Sequence, residues 1–71
     1  MFIMSISGKQ VGCLGNVDIK RIEYSKDEVD GVINVNGNAF GTYQYERASE
    51  IMAEIIDNCK VNKTFYQLPK E

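Results

Sequence analysis

Residues 41–60 read GTYQYERASEIMAEIIDNCK, and the spacing of their apolar side chains predicts an amphipathic helix. Ala48, Ile51, Met52, Ile55, Ile56 and Cys59 recur at i, i+3, i+4, i+7, i+8 and i+11, the signature of one helical face. The helix is expected to start at Tyr45 or Glu46 and to run to Asn58. Glu46 and Glu50 fall in its first turns, where negative charge suits the positive end of the helix dipole, and Lys60 lies past the other end. Asn58 is the expected left-handed stop. No Ser, Thr, Asp or Asn stands at the N-cap position, which Tyr45 occupies instead.

Upstream of the helix, Asn36-Gly37 is a strong hairpin signal, because a type I′ turn needs φ > 0 at both central residues. It predicts strands over residues 32–35 and 38–43. A two-residue loop then sets Val35 opposite Asn38, Asn34 opposite Ala39, Ile33 opposite Phe40 and Val32 opposite Gly41. In that register Ile33, Val35 and Phe40 share the face that meets the helix, and Val32, Ala39 and Tyr43 share the other. Further back, alternation predicts strands at 2–7, 10–14 and 20–25, with turns at Gly8-Lys9 and Gly15-Asn16 and a polar connection over residues 26–30. Gly12 interrupts the second of these strands. Downstream, residues 64–68 (TFYQL) form a short strand before Pro69, a placement that suits a sheet edge. The expected fold is α+β: an antiparallel sheet of about five strands with the helix packed across it.

The chain has 71 residues, a net charge of −2, two cysteines and no histidine. It is read as one domain, residues 1–71, near the size at which a single core barely offsets chain entropy. Such chains usually gain a disulfide, a metal or a partner subunit. Cys13 and Cys59 lack paired metal-ligand spacing, and the N-terminus does not resemble a secretory signal, so a cytoplasmic protein with reduced thiols and no metal or cofactor is expected. A homo-oligomer is the remaining economical support. Eight basic residues scattered among ten acidic ones give no basic face for extended nucleic acid, and no apolar run is long enough for a membrane span.

Chemistry-bearing patterns are few. Without histidine, Ser and Cys have no ordinary general base, and a non-enzyme is expected. The acidic run over residues 27–31 (DEVDG) lacks the register of a calcium loop, and its match to a caspase cleavage motif carries little information. Gly8, Gly12 and Gly15 with Lys9 fit neither phosphate-loop nor dinucleotide spacing. The cluster singled out is Tyr43, Tyr45 and Arg47 at the helix start, with Lys9 and Arg21 as helpers. A helix N-terminus offers free N–H groups, an arginine offers a bidentate donor, and tyrosines can stack on a flat ring. The structural alternative has Tyr43 at the core edge and Arg47 paired with Glu50.

Gly41-Thr42-Tyr43, Glu46-Arg47-Ala48, Ile55 and the closing Phe65-Tyr66-Gln67-Leu68-Pro69 resemble a group of short proteins from Firmicutes and their phages and prophages. That group joins a sheet-forming half to a helix through a "GxY…ERA" junction and ends in a "VYxxP"-like strand. The resemblance implies a phage or prophage protein acting in the host cytoplasm. The expected function is non-enzymatic capture of a small anionic or nucleotide-derived signalling ligand of host defence. The alternative is an inhibitor or adaptor module that masks a host protein, using the Val32/Ala39/Tyr43 face or a strand edge.

Overall fold

The computed structural model describes residues 1–13 and 15–71; the last position of the strand expected over 10–14 lies outside them. The described residues form β1 (Phe2–Met4), β2 (Val11–Cys13), β3 (Val17–Glu23), β4 (Val29–Val35), β5 (Asn38–Gln44), α1 (Tyr45–Lys60) and β6 (Phe65–Gln67). The fold is α+β as expected, but its six strands divide into two three-stranded sheets, ordered β2-β1-β6 and β3-β4-β5. The helix lies across β4, β5 and β3.

The larger sheet is antiparallel throughout, and its turn is the one the sequence predicts. Asn36 and Gly37 take φ of 52° and 85°. Val35 opposes Asn38 and Asn34 opposes Ala39, after which the register shifts. Ile33 faces Gly41 rather than Phe40, and Gly31 faces Tyr43. Phe40 is therefore the extra residue of a β-bulge. The bulge corrects the expected face assignment. Three positions apart on a regular strand, Phe40 and Tyr43 would point to opposite sides; here both are buried in the core with Ile33 and Val35. Val32 and Ala39 remain on the outer face among Asp18, Lys20, Asn34 and Thr42.

Freed from the ladder by the bulge, the Phe40 carbonyl accepts from the Ile6 N–H at 2.9 Å, which joins the two sheets. The smaller sheet pairs β1 antiparallel with β2 and parallel with β6. Gly12, Ile3 and Tyr66 form its inward row. A Cβ on Gly12 would stand 3.2 Å from both Phe40 and Val35, so the missing side chain lets β2 lie against the hairpin. Asn36 ties the same region. Its amide donates to the Cys13 carbonyl at 2.9 Å, and its side-chain oxygen accepts from the Asn16 N–H at 3.0 Å.

The core comprises Ile3, Ile33, Val35, Phe40, Tyr43, Ala48, Ile51, Ile55 and Leu68. The helix contributes Ala48, Ile51 and Ile55 of its predicted stripe, Met52 packs at the margin and Ile56 is half-exposed. α1 also runs two residues past the expected stop at Asn58. The left-handed residue is Asn62, at φ 59°.

Candidate functional site

In the larger sheet, one inward row reads Arg21–Gly31–Tyr43. The first turns of α1 cover it. A Cβ on Gly31 would stand 2.7 Å from the Ala48 Cβ and 3.4 Å from the Tyr45 ring. The absent side chain is thus what lets the helix start and the Tyr45 ring settle onto the strand. At the open end of the row, the Arg21 guanidinium lies over the Tyr45 ring, 5.6 Å from its centroid, within cation–π range. Arg21 also pairs with Glu23 at 3.3 Å.

Beside this stack is a shallow pocket of about 220 Å³ lined by Arg21, Lys26, Asp27, Val29, Gln44, Tyr45 and Glu46. Gln44 is the N-cap and makes no side-chain capping bond. Two cations and two carboxylates share the rim, so its charges balance. Lys26 comes from the polar connection and is absent from the expected site; its only signal in the sequence is its nearness along the chain to Arg21.

Arg47 and Tyr43 lie elsewhere. Arg47 donates through Nε to Glu71, contacts Glu50 at 3.4 Å and lies 4.0 Å from Glu54. The hydrogen bond to Glu71 raises its already high pKa. The expected Arg47–Glu50 pair is present, and two further carboxylates surround the same guanidinium. Tyr43 is buried and donates its hydroxyl to the Pro69 carbonyl at 2.7 Å. Burial pushes its phenol from 10.0 up to about 12, with the Glu71 charge adding and Arg47 opposing. Burial, followed by the hydrogen bond to Glu54, likewise pushes the Tyr66 phenol up. Tyr43 and Arg47 border a second hollow of about 320 Å³ with Asp30, Thr42, Gln44 and Glu71.

The expected site therefore divides. Arg21 and Tyr45 come together; Tyr43 and Arg47 anchor residues 69–71 against the helix start. Lys9 stands exposed in the Gly8-Lys9 turn and lines neither hollow. Among the described residues no group of three or more Cys, Asp or Glu side chains is placed to hold a metal ion, and no helix is long and apolar enough to cross a membrane.

A second surface lies on the outer face of the smaller sheet. Phe2 is in register with Phe65 on one side and Cys13 on the other, and Met4 lies between Val11 and Gln67. Phe2, Val11 and Phe65 are each about half-exposed.

Comparison of the chain with protein-family models, with curated proteins and with solved structures finds no match.

Proposed function

We propose that this chain is a non-enzymatic binding protein that captures a small, ring-bearing anion of the nucleotide-derived kind at the Arg21–Tyr45 pocket. The observation that carries the reading is the guanidinium stationed over the Tyr45 ring at the pocket rim. A flat ring can stack against the exposed Arg21 guanidinium that Tyr45 holds in place, and Arg21 and Lys26 can pair with a phosphate or carboxylate. Asp27 and Glu46 offset those cations, which suits one or two negative charges better than a polyphosphate. The pocket is smaller than a typical drug-sized site, and it matches a single ring with its anionic group. In the setting implied by the resemblance to phage and prophage proteins, the ligand is a signalling molecule of host defence, captured in the host cytoplasm.

Thermal-shift titration with mono- and cyclic dinucleotides tests this reading, since a ligand that binds only the folded state raises its stability by mass action. One ligand class is expected to shift the wild type, with the shift lost in Arg21→Ala and in Tyr45→Ala but kept in Arg47→Ala. An equal shift in wild type and Arg21→Ala places binding elsewhere. The absence of any shift counts against capture.

The half-exposed Phe2–Phe65 pair supports a second reading, a module that masks a host protein through the smaller sheet. Unpartnered apolar surface of this kind is characteristic of contact sites. Here Phe2→Ser with Phe65→Ser is expected to abolish association with an identified, purified partner while leaving nucleotide shifts unchanged.

A further inference from the structure

β3 is a seven-residue strand at the margin of its sheet. One edge pairs with β4, and among the described residues nothing bonds the other. The register decides which backbone groups face outward. The Asn16 carbonyl accepts from Asn36 and the Tyr24 N–H donates to Glu28, at the two ends of the ladder with β4. Antiparallel bonding alternates along a strand. The even-numbered residues of β3 therefore turn their amide groups toward β4, and Val17, Ile19, Arg21 and Glu23 turn theirs to the open edge. Such a row is a template for another strand.

A second copy of this chain can fill that edge about a two-fold axis normal to the sheet. The pairing must keep inward residues inward and must match outward-facing bonds, so odd positions oppose odd and even oppose even. Charge then selects among the registers. Centring on Asp18 sets two aspartates face to face; centring on Lys20 or Arg21 does the same with two cations. Centring on Ile22 overlaps β3 only at residues 21–23. Centring on Ile19 sets Ile19 against its own copy, Val17 against Arg21, and Asp18 against Lys20 twice. Those two ion pairs fall at non-hydrogen-bonded positions, where opposing side chains approach most closely. Among the described residues neither Asp18 nor Lys20 has an ion-pair partner in its own chain, whereas Arg21 already has Glu23.

We propose that two copies join through β3 in the Ile19-centred register, giving one continuous sheet ordered β5-β4-β3-β3-β4-β5 held by reciprocal Asp18–Lys20 pairs. This inference stands apart from the ligand reading. The small core of a 71-residue chain gives such a dimer a stabilising role.

Sedimentation equilibrium of the full chain tests it. The wild type is expected to dimerise in the micromolar range. Lys20→Asp and Asp18→Lys each place like charges opposite one another twice, and each is expected to weaken the dimer roughly tenfold or more. Both positions are exposed, and an unchanged circular dichroism spectrum verifies that each variant folds. Mixing the two variants restores both opposite-charge pairs in a heterodimer, so affinity is expected to recover. A wild type that stays monomeric at high micromolar concentration overturns the proposal; charged edge residues then act as guards against pairing. Dimers that persist unweakened in both variants, or variants that fail to recover on mixing, overturn it as well.

Discussion

Ala48 rests directly on the backbone of Gly31: a methyl group added to the glycine would stand 2.7 Å from the alanine's Cβ and 3.0 Å from Ile19. Neither neighbour is the far end of a flexible side chain, so the helix would have to lift. Gly31→Ala is expected to lower stability by about 1–3 kcal/mol through overpacking, measured by urea denaturation. The same lift would move Tyr45 away from Arg21, so ligand shifts should weaken in parallel.

Asn36 does more than turn the hairpin. Asn36→Ala removes the bonds to Asn16 and Cys13 and puts alanine at φ 52°. A loss of about 1–3 kcal/mol is expected. Gly37→Ala, at φ 85° with nothing near its missing side chain, meets only the backbone penalty, about 1 kcal/mol. Equal losses in the two variants would mean that the side-chain bonds of Asn36 contribute nothing.

The helical stripe divides into residues that carry the core and residues that do not. Ile51→Ala is expected to cost about 2–5 kcal/mol, because Ile51 is fully buried. Ile56→Ala should cost less than about 1 kcal/mol, because that side chain is half in water and exposed changes are mild. Leu68→Ala, well past the helix but fully buried, belongs with Ile51 in the more costly class.

Tyr43 makes alkaline stability a probe of the anchored segment. Its phenol is raised from 10.0 to about 12 in the folded chain, so between those values the native state holds a proton that the unfolded state has lost. Stability from this group is complete below pH 10 and falls as pH rises toward 12. Tyr43→Phe keeps the ring but lacks the hydroxyl, so its stability should decline less steeply over that window. At neutral pH the lost bond to Pro69 is expected to cost about 1 kcal/mol. Denaturation midpoints followed from pH 8 to 11.5 check both expectations.

The helix and its hairpin were legible because both rest on local rules. A 3.6-residue stripe and an Asn-Gly turn need no knowledge of distant chain. Phe40 was not legible as a bulge: alternation extrapolates regularly, and a bulge is settled by what covers the strand, here Gly12 and Ile6. Nor did the sequence reveal the division into two sheets, which depends on pairing Phe2 with Phe65. β3 starts at Val17, ahead of the expected start at Lys20, because the Gly15-Asn16 turn signal interrupts the alternation from which the strand is read. In the candidate site, nearness along the chain misled. Tyr45 and Arg47 are two positions apart on a helix, and such pairs do not face each other. Arg21 reaches Tyr45 instead because β3 and β4 bring it alongside Gly31.

The parallel pairing of β1 with β6 also sets an order of assembly. The larger sheet and the helix are built from contacts between consecutive elements and can form early. β1 cannot complete its sheet until residues 65–67 arrive, more than sixty positions later, and closing so long a loop is slow. Until then Ile3 has no finished strand to hold it, and the core lacks Leu68, whose side chain lies beside Gly41 of β5. The smaller sheet is thus expected to form last and, on partial opening, to release first, which hydrogen exchange at its amides would show.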